Sequence, residues 1–220
     1  MSLNSKPFGS TGAAPSYAAQ QLEKLNQDGY LSLVDAFNHA IAEFAEQPAF
    51  TCLGQTLNYA DMDRLSSQFG CFLLEHCGLQ HGDRIAIQLP NISQYPIAVW
   101  AALRAGLTVV NTNPLYTARE QLHQFNDSGA RALVVLSDLL PVTEQVVSET
   151  AIQTVIVTHA ADLLQPQAVP HSSLDNLIGF TDALALGADK VLPDSTATMS
   201  DIAVLQYTGG TTGPSKGAIL

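Results

Sequence analysis

The chain has 220 residues, enough for one to two domains at roughly 150 residues each and for a sizeable buried core. Lys and Arg number 9 against 20 Asp and Glu, a formal charge of −11, which argues against a nucleic-acid binder, because phosphate backbones demand clustered cations. Apolar residues reach 46% and charged residues only 13%, against a usual ~25% charged, so the chain folds and either holds a large core or lacks a partner surface.

Residues 1–29 are rich in Ser, Gln, Ala and Gly with no sustained period, and read as a mobile leader. They lack the basic region and apolar core of a secretory signal. Residues 31–46 carry Leu33, Val34, Phe37, Ile41 and Phe44 at helical spacing, with Pro48 as a stop. Residues 49–58 read as a hairpin turning on Gly54, and Asn58 with Asp61 three positions on forms a capping box that starts a second helix. Its buried stripe is Met62, Leu65, Phe69, Phe72 and Leu73, and Gly78 is placed to end it.

Apolar strands and helices then alternate: strands at 84–89, 107–111, 132–136 and 154–158, helices at 94–105, 118–126 and 139–150. That alternation predicts an α/β fold with a mostly parallel sheet flanked by helices on both faces. Residues 160–200, with Pro166, Pro170 and Pro193, read as a long connection with a short helix at 180–186, and 201–207 as a last strand. The longest charge-free stretch, 85–103, contains Gln88, Pro90, Asn91, Gln94 and Pro96, a load that a bilayer-spanning helix would not carry. Cys52, Cys71 and Cys77 are odd in number and lack CxxC spacing, so they suggest neither a disulfide framework nor a zinc site.

One segment speaks of chemistry. The last strand runs into Thr208-Gly209-Gly210-Thr211-Thr212-Gly213-Pro214-Ser215-Lys216-Gly217. Glycines let main-chain N–H groups approach an anion closely; threonine hydroxyls add donors and Lys216 a positive charge. The spacing is neither a Walker A loop nor a dinucleotide fingerprint. Residues 217–220 return into a strand, so loop donors rather than a helix N-terminus must hold the anion.

The run YTGGTTGPSKG resembles the phosphate-binding signature of the adenylate-forming enzymes: acyl-CoA synthetases, luciferases and peptide-synthetase adenylation domains. The segments at 32–50, 81–135 and 205–213 are similar to the bacterial long-chain fatty-acid–CoA ligases. The resemblance covers about residues 30–220. It implies a large N-terminal AMP-binding domain, incomplete here and ending just after the loop, in which Tyr207, Thr208, Gly209, Gly210, Thr211, Thr212, Gly213 and Lys216 contact ATP.

The implied reaction joins a fatty acid to ATP, with Mg²⁺, as acyl-adenylate, and then transfers the acyl group to coenzyme A. The motifs for adenine, ribose and Mg²⁺ and the catalytic lysine of such ligases lie downstream of the loop. No catalytic residue and no metal ligand is therefore expected in this chain, which is expected to be inactive without the missing C-terminal portion. A cytoplasmic setting is expected, with peripheral contact at the inner membrane face by analogy only. The rival readings are a ligase for a medium-chain or aryl acid and a non-catalytic nucleotide-binding module.

Other candidates have blander readings. The six histidines show no metal spacing and read as surface residues; Asp61 reads as a cap. Arg84, Arg104 and Arg119 adjoin strand or helix ends where fold roles are common, and Asn111-Thr112-Asn113-Pro114 reads as a strand-ending turn without chemistry. The apolar composition and the expected missing portion together predict exposed apolar surface and unpaired strand edges near residues 201–220.

Overall fold

The computed structural model describes residues 29–208 and 215–220. The expected leader at 1–29 lies outside the described residues apart from Gly29, which makes a turn at φ 76°. Ser32–Leu220 form a single structural unit.

Helix α1, Leu33–Phe44, starts where the Ser32 hydroxyl accepts the Asp35 N–H at 3.1 Å, and it buries Val34 and Phe37. Strands β1 (Pro48–Cys52) and β2 (Gln55–Asn58) form an antiparallel hairpin. Leu53 and Gly54 both take positive φ, 50° and 81°, the geometry whose twist matches paired strands. Helix α2, Tyr59–Glu75, opens with the expected capping box, Asn58 and Asp61 each accepting the other's N–H at 2.7 and 3.3 Å. All five predicted stripe residues are buried. Gly78, at φ 63°, lets Cys77 and Leu79 turn back to donate to the carbonyls of Phe72 and Leu73.

The rest of the chain builds the sheet: β3 Arg84–Gln88, α3 Gln94–Arg104, β4 Thr108–Asn111, α4 Ala118–Ser128, β5 Ala132–Leu136, α5 Leu140–Thr143, β6 Thr154–Thr158, β7 Leu177–Gly179, α6 Phe180–Leu186, β8 Val204–Thr208 and β9 Lys216–Ile219. The order across the seven strands is β7-β6-β5-β3-β4-β8-β9. Every neighbouring pair is parallel except β8 and β9.

Strand periodicity of two sorts the side chains into two cores. Ile85, Ile87, Val109, Val134 and Ile156 face a core shared with α1, α2, α3 and α6. Ala86, Val110, Leu133, Val135, Val155 and Val157 face another, holding Phe125 of α4 and Leu140 of α5. Phe69, fully buried, lies 4.7 Å from the Phe180 ring and 5.9 Å from the Phe72 ring, and burial of such a ring stabilises by roughly 1.5–3 kcal/mol.

The connections leaving β3 and β4 thus pass to opposite faces, which opens a crevice at the carboxyl ends of these strands. Arg84 steadies that layout: its guanidinium donates to the carbonyls of Ser128 and Gly129 at 3.0 and 3.1 Å, closing the end of α4.

Four expectations need correction. The helix predicted over 139–150 is broken: α5 ends at Thr143, and Val147–Glu149 is a 3₁₀ turn. Val142, Thr143, Val146 and Val147 are β-branched and stiff. The adjacent Val146 and Val147 are both buried, which the break allows although they would point about 100° apart on a straight helix.

Residues 160–200 supply a further strand, β7, beside β6; three residues are too few for a periodic signal. Helix α4 runs to Ser128, two residues past its predicted end, where Gly129 takes φ 63°. The last strand begins at Val204 rather than 201, because the Asp201 carboxylate instead accepts the Thr198 N–H and hydroxyl at 2.6 and 3.0 Å and makes a turn.

As expected, the outer edge is open: β9 has β8 as its only neighbour in the sheet among the described residues, and Ile219 and Leu220 are each 67% exposed. No helix among the described residues is long and apolar enough to cross a membrane.

Candidate phosphate-binding site

The carboxyl ends of β3, β4 and β8 surround a cleft of about 440 Å³ whose walls include Asn91, Tyr95, Asn111, Tyr116, Gln206 and Tyr207. A line of hydrogen bonds crosses its floor. The Tyr95 hydroxyl on α3 donates to Asn111 Oδ1 at 2.7 Å, and Asn111 Nδ2 donates to Gln206 Oε1 at 2.8 Å. The Asn111 carbonyl accepts from Gln124 Nε2 of α4 at 2.8 Å, and Gln88 Nε2 donates to the Asn113 carbonyl at 3.2 Å. One asparagine therefore ties together β4, β8 and helices from both faces. Burial raises the Tyr95 phenol above its ordinary value, so it remains a neutral donor.

The candidate loop joins β8 to β9. Antiparallel register sets Tyr207 opposite Gly217 and Thr208 opposite Lys216. The Thr208 and Lys216 residues are exposed at the mouth of the turn, a hydroxyl and an ammonium facing solvent from paired positions. The other expected loop contacts, Gly209, Gly210, Thr211, Thr212 and Gly213, lie outside the described residues.

Tyr207 lines the cleft but is 7% exposed, and its hydroxyl donates to Asp127 Oδ2 of α4 at 2.6 Å. Burial first, and then the hydrogen bond to Asp127 and that carboxylate's charge, push this phenol well above its ordinary range. On the far stem, His123 Nε2 donates to the Ser215 carbonyl at 2.9 Å.

The described donors suit an anion: a lysine ammonium and a threonine hydroxyl at paired strand positions. Among the described residues no group of three His, Cys, Asp or Glu could hold a metal ion.

Several residues differ from their sequence reading. The Asn111 segment, read as an inert turn, forms the floor of the cleft; the available signal is a polar residue at the carboxyl end of a buried parallel strand. His123 and His159 are half-buried and bonded rather than solvated, His159 pairing with the Ser137 hydroxyl at 2.8 Å. Asp127 and His123 give no local signal, because their partners are 80 and 92 residues away. Arg104 has a fold role, paired with Asp63 at 2.8 Å.

A family model described as AMP-binding enzyme matches residues 37–220. The chain is 41% identical over 218 residues to a long-chain-fatty-acid–CoA ligase of Escherichia coli O6:H1, covering 93% of this chain and 39% of that protein. It is 30% identical over 192 residues to a 4-hydroxybenzoate–CoA/benzoate–CoA ligase of Rhodopseudomonas palustris, covering 86% of this chain and 33% of that one. Among solved structures, a long-chain-fatty-acid–CoA ligase from Archaeoglobus fulgidus aligns with a TM-score of 0.69 and 26% identity, over 87% of this chain and 37% of that chain. An anthranilate CoA ligase aligns with a TM-score of 0.73 and 19% identity, over 86% and 34%, which speaks for the fold alone. The chain spans little more than a third of the length of the curated relatives it matches.

Proposed function

Because the chain belongs to the AMP-binding enzyme family, we propose that the turn between β8 and β9 grips the β- and γ-phosphates of ATP while a long-chain fatty acid is activated. The carboxylate attacks the α-phosphate, releasing pyrophosphate and leaving an acyl-adenylate. The thiol of coenzyme A then attacks the acyl carbon and releases AMP. The physical problem of the first step is the approach of two anions, so fixed donors must offset their repulsion and hold the line of attack. Mg²⁺ supplies further neutralisation of the phosphate charge.

In this reading Lys216 places its ammonium against the terminal phosphates, and Thr208, with the loop residues Gly209–Gly213, donates to the bridging and outer oxygens. The register that pairs Thr208 with Lys216 at the mouth of a crevice carries the reading. The chain contributes the phosphate grip and does not complete the turnover alone, in keeping with its 39% span of the ligase from Escherichia coli. A long-chain acid is favoured over an aryl acid by the higher identity, 41% against 30%.

The test is acid-dependent ATP–pyrophosphate exchange by the full reading frame, across a panel of long-chain, medium-chain and aryl acids. A charged hydrogen bond contributes ~1.5–3 kcal/mol, so Lys216→Ala is expected to slow exchange about ten- to hundredfold. Exchange at the wild-type rate would remove Lys216 from the phosphate site, and preference for an aryl acid would replace the substrate.

A further inference from the structure

Helix α4 carries His123 and Asp127 four residues apart, hence on one face. They reach opposite stems of the same turn. Asp127 holds the β8 stem through the Tyr207 hydroxyl at 2.6 Å, and His123 holds the β9 stem through the Ser215 carbonyl at 2.9 Å. A carbonyl only accepts, so this contact requires hydrogen on Nε2.

A third feature aligns the first contact. Gly217 lies opposite Tyr207, and a Cβ there would stand 3.0 Å from Cε2 and 3.1 Å from Cζ of the phenol ring. Absence of a side chain lets the ring lie across the neighbouring strand and point its hydroxyl at α4. The terminal glycine of the signature thus has a packing reason separate from any ligand.

We propose that His123 and Asp127 are positioning residues, which fix the separation of the Thr208 and Ser215 stems and so hold the Thr208 hydroxyl and the Lys216 ammonium at the spacing that a phosphate chain requires. The inference rests on the phosphate-binding reading of the turn. Its physical basis is preorganisation: donors whose strands are anchored before the ligand arrives need less ordering on binding. Neither side chain needs to touch the nucleotide.

The experiment uses the 220-residue chain, with two readouts: amide hydrogen exchange at Thr208, Lys216 and Gly217, and affinity for ATP and for tripolyphosphate by NMR titration to millimolar ligand. His123→Ala and Asp127→Ala are each expected to speed exchange at the stems and weaken both anions, about three- to tenfold for the neutral bond of His123 and about tenfold or more for the bond to the Asp127 carboxylate. His123→Gln and Asp127→Asn are expected to restore both readouts, since Gln Nε2 can donate and Asn Oδ1 can accept at the same places.

Faster exchange with unchanged affinity would overturn the inference, as would Gln and Asn variants no better than alanine. Lys216→Ala separates this failure from that of the underlying reading. If it weakens binding while the α4 variants bind as wild type does, the phosphate site stands and the positioning role falls. If it has no effect, or if the wild-type chain takes up neither anion, the phosphate reading falls and the positioning role with it.

Discussion

Gly187 closes α6 against the middle of α2, and a Cβ there would stand 1.9 Å from the Gln68 carbonyl oxygen and 2.8 Å from its carbon. Ordinary contact begins at 3.4 Å, so Gly187→Ala demands that α6 retreat by about 1.5 Å, the difference of those two distances. The obstacle is helical backbone and cannot swing aside. The retreat opens the contact between Phe180 and Phe69, whose rings lie 4.7 Å apart. A gap of 0.5–1 Å already forfeits a quarter to a half of the dispersion well, and overpacking alone costs ~1–3 kcal/mol.

We expect Gly187→Ala to destabilise the chain by about 3 kcal/mol, at the upper end of that overpacking range. Urea unfolding followed by Trp100, the chain's single tryptophan, stacked 4.0 Å from Phe37, gives the readout. With a urea m-value of roughly 1–3 kcal/mol/M the midpoint should fall by about 1–3 M. A midpoint within about 0.3 M of wild type, with the same m-value, would refute the claim that backbone approach fixes glycine here.

Two other outcomes are expected. Asn111→Ala removes the bonds from Tyr95 and to Gln206 at 2.7 and 2.8 Å, and at 0.5–1.5 kcal/mol each should cost ~1–3 kcal/mol in the same urea assay; a loss below ~0.5 kcal/mol would show that the network adds nothing net. Burial pushes the Cys77 thiol up to about 11 from 9.0; the folded state then holds its proton longer than the unfolded one, so stability is full below pH 9 and declines between about 9 and 11. Urea midpoints measured across that window should fall less in Cys77→Ala than in wild type, and equal slopes would contradict the assignment.

The inner strands are legible in the sequence because they are buried on both faces. Residues 132–136 and 154–158 are short, mainly apolar runs, and both strands occupy those spans. The start of α2 is legible for a different reason: the capping box is a local exchange between residues three apart. Where local signals are lacking, the pattern of residues is silent. Three-residue β7 is specified by pairing with β6, not by its own pattern. The break after Thr143 reflects the need to bury both Val146 and Val147, which no helical period expresses. The glycine-rich run is read from the sequence as an anion-binding turn, whereas the groups bonded to Tyr207 and Ser215 lie on α4 and become neighbours only through the parallel crossover.

The position of β8 has a temporal consequence. It pairs with β4, and the Asn111–Gln206 contact spans 95 residues, whereas β3 through β6 are joined by far shorter connections. Closing the longer loop costs more entropy and its reward comes later. During synthesis the inner four strands can assemble while β8 is still within the ribosome. A nascent chain halted before Val204 would then have a packed interior but an unpaired β4 edge where β8 belongs.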